Sequence, residues 1–162
     1  MTVFSIDMRN ADVVCDNAHI IEEMSKTYDL DPSLIIAVGR IESAWTPTAK
    51  SPANACGIMQ VLPKYSKKFG NKGRNLTCEE LKDPETSIRV GSKILSYWLH
   101  KYAKGNETTA LCGYNAGFRC KGENKNKQGL KYAKAVLKYR KYFKRKMRIQ
   151  KRKYKNEMFA NH

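Results

Sequence analysis

Glu42 is the acidic residue whose sequence surroundings best suit proton transfer. It ends a largely apolar stretch that contains Ile36, Val38 and Ile41. If that apolar face is buried, the Glu42 carboxyl is partly desolvated, which disfavours its charged form and raises its pKa. A carboxyl group that keeps its proton near neutral pH can protonate the leaving oxygen of an ether or glycosidic bond. The sequence therefore predicts that Glu42 is a general acid.

Two glycine-led motifs follow at a distance, Gly57-Ile58-Met59-Gln60 and Gly113-Tyr114-Asn115-Ala116-Gly117, and Tyr132 lies beyond them. Taken singly, each has a structural explanation, as a core methionine, a helix C-cap or a packed aromatic ring. Taken with a desolvated acid, their amides and aromatic rings suit sugar hydroxyls and ring faces. The combination predicts a cleft for a polysaccharide.

Helices are predicted to position these residues. Apolar residues recur at intervals of three and four over most of the chain, and alternation with period two is missing, so we expect a mainly α protein with at most a small β-hairpin. Asp-Pro pairs predict two helix starts. One predicted helix ends before Asp29, and the next runs from Asp31 to Glu42 and Ser43. Further helices are predicted to begin at Pro63, to begin at Asp83, to surround Ala110, and to follow a loop over 117–129. Residues 70–82 are predicted to be a polar, turn-rich segment.

Length and composition limit the chain to one domain. Its 162 residues, 41% of them hydrophobic, suffice for a single core. Five cysteines without a C-x-x-C pair and three dispersed histidines give no support for a metal site, so we expect no metal and no cofactor. At least one cysteine of a monomer is unpaired. Whether Cys56 and Cys78, or Cys112 and Cys120, form disulfides stays open at this point.

Five ordered segments resemble motifs of the soluble lytic transglycosylase family. They are Ile41-Glu42-Ser43, Ser51-Pro52-Ala53, the two glycine-led motifs, and Tyr132-Ala133 with Val136. The resemblance implies a lysozyme-like domain, which we place at residues 1–143, followed by a basic C-terminal extension over 144–162. It also implies that the substrate is the peptidoglycan glycan strand, cleaved between N-acetylmuramic acid and N-acetylglucosamine.

The resemblance assigns Glu42 as the single catalytic acid, with the Ser51 hydroxyl near it and Tyr132 beside it. One position departs from the family pattern, because Gln128 stands four residues before Tyr132, where the family commonly has a Glu that helps to bind peptidoglycan. The residues assigned to substrate binding are Ser51, Met59, Gln60, Tyr114, Asn115, Gln128 and Tyr132.

The number of carboxylates separates two kinds of glycosidase chemistry. Hydrolases generally use a pair of carboxylates, about 5 to 9.5 Å apart depending on stereochemistry. No Asp or Glu occurs between Ser43 and Cys78, a stretch in which the related goose-type lysozymes carry acids. We therefore expect a lytic transglycosylase that forms 1,6-anhydromuramic acid, and a hydrolytic muramidase is the alternative.

Positive charge is concentrated near the C-terminus. The formal net charge is +16, and 13 of the 31 Lys and Arg residues lie in 131–155, which contains no acid. We expect residues 144–155 to bind anionic envelope polymers or lipid, because such a run is attracted to polyanions. A helical nucleic-acid-binding domain and a catalytically inactive wall-binding module are rival interpretations. Nucleic acid is the weaker partner, since no recognisable binding motif accompanies the charge.

The first sixteen residues include acids and lack an apolar run, so they do not predict a signal peptide. We expect a monomer that acts at the bacterial cell wall, in the periplasm or outside the cell. Its size, basic tail and missing signal favour delivery by a phage lysis machinery or a virion.

Overall fold

A computed structural model describes residues 8–70, 72–123 and 125–160. Within these ranges the chain is mainly α, as predicted, and its β-structure is limited to isolated bridges of Cys56 with Lys50 and Val61. Residues 1–7, which belong to the N-terminal segment that does not predict a signal peptide, lie outside the described residues, and so does His162. The helical elements are α1 (Ala11–Asp16), α2 (Ala18–Tyr28), α3 (Pro32–Ser43), a 3-10 helix (Pro63–Lys68), α4 (Cys78–Lys82), α5 (Pro84–Ser96), a π-helical segment (Tyr97–Tyr102), α6 (Glu107–Ala116) and α7 (Lys127–Ala160).

Helix α3 forms the centre of the core. Its start is the predicted one: Asp31 caps the helix by accepting a hydrogen bond from the Ser33 amide (2.9 Å), and Pro32 is its first residue. Residues 33–39 are all buried, and α3 packs on α7. The helix ends at Ser43, so Glu42 lies in its last turn, beyond the buried residues, and is only partly buried.

Helix α7 runs unbroken across the predicted domain boundary at 143/144. Its first half packs against α3 and α6, with Val136 and Phe143 buried, while every residue of 151–160 is exposed. Lys144 pairs with Asp31 at 3.1 Å. Partial burial alone would raise the pKa of Asp31, but hydrogen bonds from Ser33 and Lys144 lower it to about 2. The division into a domain over 1–143 and an extension over 144–162 stays a prediction.

Two boundaries differ from the sequence-based expectation. Residues 78–82, expected in a turn-rich segment, form α4, which begins with a capping box in which Thr77 and Glu80 bond to each other's backbone amides. Helix α7 begins at Lys127 and includes Gly129, which was expected to end a loop. The Asn126 side chain accepts a hydrogen bond from the Gly129 amide (2.7 Å) and so caps the helix.

Two disulfides hold the loops that flank the core. Cys56 is bonded to Cys78 and Cys112 to Cys120, while Cys15 is free. The first bond joins the loop after α3 to α4, and the second joins α6 to the loop that leads to α7. Among the helices of the described residues, none is long and apolar enough to cross a membrane.

Candidate active site

Glu42 and Tyr132 meet where α3 crosses α7. The Tyr132 hydroxyl donates a hydrogen bond to Glu42 Oε1 at 2.6 Å. The two residues are 90 positions apart in the chain, so only the packing of the two helices brings them together. The contact holds one oxygen of the carboxyl group in place.

The surroundings of Glu42 change its acidity. Burial raises the pKa of Glu42 from 4.5 to about 7, even though the hydrogen bond from Tyr132 acts to lower it. The residue is only partly buried, so it keeps contact with solvent. Burial, with the nearby Glu42 carboxylate, also raises the pKa of Tyr114 and of Tyr132 well above the usual value. Near neutral pH both tyrosines therefore remain donors, while Glu42 exchanges its proton.

The turn over 57–60 lies against α6 through backbone contacts of Met59. The Met59 amide donates to the buried Ser87 hydroxyl oxygen (3.0 Å), and the Met59 carbonyl accepts from the Tyr114 hydroxyl (2.8 Å). The Ser43 hydroxyl donates to the carbonyl of Ile58 at 2.9 Å. The turn is thus tied to α3, α5 and α6, and it is held next to the residue that follows Glu42.

Three of the residues assigned to substrate binding have structural contacts within the loop region. Met59 is fully buried, and its side chain packs against the backbone of Gly91 in α5. The side-chain amide of Gln60 donates to the backbone carbonyl of Gly57 (2.9 Å), and the Ser51 hydroxyl accepts from the backbone amide of Ala55 (3.0 Å). These contacts shape the loop, and direct contact of the three side chains with a substrate stays a prediction.

The remaining assigned residues lie at different depths. Tyr114 is partly buried beside the turn, whereas Asn115 is exposed at the end of α6 and Gln128 is exposed in the first turn of α7. The structure therefore brings Tyr114 and Tyr132 close to Glu42 and leaves Asn115 and Gln128 at the surface, where a larger ligand could reach them.

Sequence reasoning missed Ser87 as a residue that supports the site. Ser87 is fully buried in α5 and holds the Met59 amide. A serine on an amphipathic helix carries no signal of this role, because its burial depends on how α5 packs. Ser43, by contrast, directly follows Glu42 and lies in the first motif, which is the signal that could have identified it.

The backbone around the site adopts conformations that side-chain-bearing residues rarely use. Ala44 and Trp45, directly after α3, have φ values of 50° and 60°, and Gln60 has 49°. Such conformations persist only where surrounding contacts impose them. Trp45 is fully buried, and its indole nitrogen donates to the Ile36 carbonyl at 3.0 Å. This hydrogen bond and the burial of Trp45 hold the turn at Ala44 and Trp45, which follows the end of α3.

The arrangement can transfer a proton to and from a bound molecule through one carboxyl group. The causes of the Glu42 pKa shift are its burial and Tyr132, with no second acid among them. In the part of the chain that the structure describes, no three His, Cys, Asp or Glu residues are grouped so as to hold a metal ion. The site as described contains a partly desolvated acid that is hydrogen-bonded to Tyr132.

Known proteins resemble this chain in both sequence and fold. The soluble lytic murein transglycosylase of Escherichia coli K12 is 36% identical over 93 residues, which cover 55% of this chain and 14% of that protein. Among solved structures, an inactive Glu-to-Gln mutant of the lytic transglycosylase Slt from Pseudomonas aeruginosa matches with a TM-score of 0.70 and 26% identity, covering 81% of this chain and 24% of the other.

The 70 kDa soluble lytic transglycosylase of Escherichia coli matches with a TM-score of 0.67 and 25% identity over 80% of this chain and 24% of its own length. These matches confirm the predicted lysozyme-like fold. The chain spans only about a seventh of the length of the first sequence relative. Residues 19–137 match the sequence profile of the transglycosylase SLT domain, so the chain belongs to the transglycosylase SLT domain family.

Proposed function

We propose that this chain is a lytic transglycosylase that cleaves the bond between N-acetylmuramic acid and N-acetylglucosamine in peptidoglycan. The observation that carries the proposal is the Glu42 carboxyl, whose pKa of about 7 lets it hold and release a proton near neutral pH. Membership of the transglycosylase SLT domain family supports the choice of reaction. A Glu-to-Gln mutant of the Pseudomonas relative is inactive, which indicates that the relative depends on a glutamate.

Glu42 acts first as a general acid. Its carboxyl proton passes to the glycosidic oxygen as the bond from that oxygen to C1 of the muramic acid breaks, and N-acetylglucosamine leaves with a free hydroxyl. Burial favours the protonated acid before this step. Tyr132 holds Oε1 during the transfer and then stabilises the carboxylate that results.

The same residue then acts as a general base. Glu42, now a carboxylate, removes the proton from the C6 hydroxyl of the muramic acid, and the C6 oxygen bonds to C1 to form the 1,6-anhydro ring. The proton returns to Glu42, so the residue ends in its starting state and no water is consumed. One carboxyl group suffices because the substrate supplies its own nucleophile.

Product analysis tests this proposal against hydrolysis by a muramidase. Purified chain incubated with peptidoglycan sacculi in heavy-oxygen water should release anhydromuropeptides, each lighter by one water than its hydrolytic counterpart and without the oxygen label. Mass spectrometry distinguishes the two products. Labelled products with reducing ends would overturn the transglycosylase assignment and favour a hydrolase.

Replacing Tyr132 with Phe should change the pH dependence of cleavage. The Tyr132 hydroxyl lowers the pKa of Glu42, so its loss should raise that pKa and move the alkaline limb of the rate profile to higher pH. The maximal rate should fall about tenfold, because the carboxyl group loses its orientation. Tyr139→Phe is a matched control on the same helix, where the ring lies against Arg40. An alkaline limb that stays in place in Tyr132→Phe would contradict the assigned contact.

We propose further that residues 144–155 bind anionic envelope polymers or lipid. The segment holds eight basic residues and no acid, and it continues α7 beyond the last buried residue, Phe143. A basic residue near an anionic surface contributes about 1 kcal/mol. The attraction should concentrate the enzyme at the bacterial envelope, in the periplasm or outside the cell. Delivery by phage lysis machinery or a virion stays a prediction, as does the monomeric state.

The triple variant Lys151→Gln, Arg152→Gln and Lys153→Gln tests the role of this segment. Binding to phosphatidylglycerol vesicles and lysis of whole sacculi should fall several-fold at low ionic strength and approach the parent values in high salt. The control removes three exposed charges from the docked half of α7, by Lys134→Gln, Lys138→Gln and Lys141→Gln. Equal losses in the two triple variants would show that total charge, and not the tail, is responsible.

A further inference from the structure

Five aromatic side chains contact one another in a row that runs from Phe69 to Phe118. Ring centroids are 6.1 Å apart for Phe69 and Tyr97, 5.5 Å for Tyr97 and Trp98, and 5.0 Å for Trp98 and Phe118. Tyr102 packs edge-on against both Trp98 (4.9 Å) and Phe118 (5.5 Å). We call these five residues the aromatic row.

The aromatic row is partly buried against the protein core and partly exposed. Phe118 is 69% exposed, which is unusual for a phenylalanine held in place by neighbouring rings. Three of the five rings come from the π-helical segment 97–102, and π-helical turns are rare and frequent at functional sites. The Tyr102 hydroxyl donates to the Phe118 carbonyl at 3.2 Å, which anchors the exposed ring. Exposed rings that are held by contacts with partly buried ones, as Phe118 and Tyr97 are here, are typical of a binding site.

The row is linked to segments near the active site by one contact and by chain order. Phe118 directly follows the motif 113–117, which carries Tyr114 and Asn115. Trp98 lies directly on the backbone of Gly113, where an added Cβ would be 2.4 Å from the indole ring. Phe69 follows the 3-10 helix that comes after the turn over 57–60. The row therefore contacts α6, the helix that carries Tyr114, at Gly113.

Basic side chains accompany the exposed end of the row. The Lys121 ammonium lies 4.2 Å from the centroid of the Tyr102 ring and donates a hydrogen bond to the Tyr102 carbonyl. Arg119 is exposed next to Phe118. Flat rings beside cationic groups suit a ligand that has apolar C–H faces together with negative charge. A peptidoglycan strand has both properties, because its muramic acid units carry carboxylates either on the lactyl group, where the peptide is absent, or on the attached peptide.

We propose that the aromatic row is a carbohydrate-binding platform that holds the peptidoglycan strand beyond the sugars flanking the cleaved bond. Sugar rings stack on the exposed Phe118 ring, which Trp98 and Tyr102 hold in place, and Lys121 and Arg119 face the carboxylates. The platform rests on the proposed function for the identity of its ligand. Its role is to retain long strands, so its loss should raise the KM for long substrates and leave kcat unchanged.

Binding without turnover tests the platform directly. The full chain carrying Glu42→Gln is titrated with peptide-free glycan strands and with chitohexaose, which is neutral, while tryptophan fluorescence is recorded. Trp45 is fully buried, so Trp98 is the tryptophan placed to respond. Adding Phe118→Ala should weaken strand binding about tenfold, as expected for the loss of one stacked ring at a contact of about 1.4 kcal/mol. Chitohexaose should bind more weakly than the charged strand.

Tyr65→Ala is the matched control, because Tyr65 is 59% exposed and lies under Lys64 but is outside the row. Strand affinity should be unchanged in Tyr65→Ala and restored in Phe118→Tyr, which keeps a ring. Equal affinities for Phe118→Ala and its parent would overturn the platform, and so would an effect confined to vesicle binding or self-association. If sacculi are not cleaved yet Phe118 is still needed for strand binding, the proposed reaction fails and the platform stands.

Discussion

Glu42→Gln is expected to lower the rate of peptidoglycan cleavage by at least about a thousandfold, the scale of a general acid–base contribution. Gln has nearly the same shape as Glu and can accept the hydrogen bond from Tyr132, but it cannot donate or remove a proton. Because Glu42 acts in both steps, no other group in the proposed mechanism replaces it. Release of anhydromuropeptides from sacculi measures the loss. Glu79→Gln, at an exposed site in α4, is the control and should keep full activity.

The same variant should be more stable than the parent at alkaline pH. The pKa of Glu42 is raised in the folded protein, so the folded state binds more protons than the unfolded state between pH 4.5 and about 7. Stability from this group is therefore present below pH 4.5 and is lost as pH rises to about 7, by at most about 3 kcal/mol. Glu42→Gln should remove that loss. Denaturant unfolding across pH measures it, and a stability difference that does not grow with pH would contradict the assigned burial.

Gly57→Ala is expected to destabilise the fold by about 3 kcal/mol or more, combining backbone strain with steric overlap. Gly57 has a φ of +77°, and an added Cβ would be 1.9 Å from the Leu81 carbonyl oxygen and 2.7 Å from the Ser87 hydroxyl. Because Ser87 holds the Met59 amide, the displacement should also move the turn that contacts Tyr114 and so reduce activity. Thermal unfolding and product release measure the two effects.

Gly73→Ala separates the two causes. Gly73 has a similar φ of +65°, but an added Cβ there would have no atom within 4 Å. The variant should therefore lose only the strain of a left-handed residue, about 1 to 2 kcal/mol, and keep its activity. Equal losses of stability at both glycines would show that contact with α4 and Ser87 is not what constrains Gly57.

Local signals in the sequence predicted the start of α3 and the position of Glu42 near its end. Asp31 and Pro32 act within one helical turn, so their effect does not depend on the rest of the fold. The same kind of signal, Thr77 followed by Glu80, marks the start of α4 within the segment that its polar composition predicted to be turn-rich. Gly129 was predicted to end a loop, and this prediction was wrong because the position depends on tertiary packing. It lies inside α7, where α6 packs so closely that an added Cβ would be 2.7 Å from the Cys112 sulfur, and no local pattern shows that close approach.

By itself the sequence determined the helical class and the family motifs and predicted Glu42 as the acid, because periodicity, capping and motifs can be read without the packing of the helices. The resemblance placed Tyr132 beside Glu42, but only the tertiary structure decided which atoms meet and how far Glu42 is desolvated. Tyr132 reaches Glu42 from another helix, and the burial that raises the Glu42 pKa is a property of the packed core. The aromatic row depends in the same way on side chains from three separate segments. Contacts between distant residues and the desolvation they cause exist only after the helices have packed.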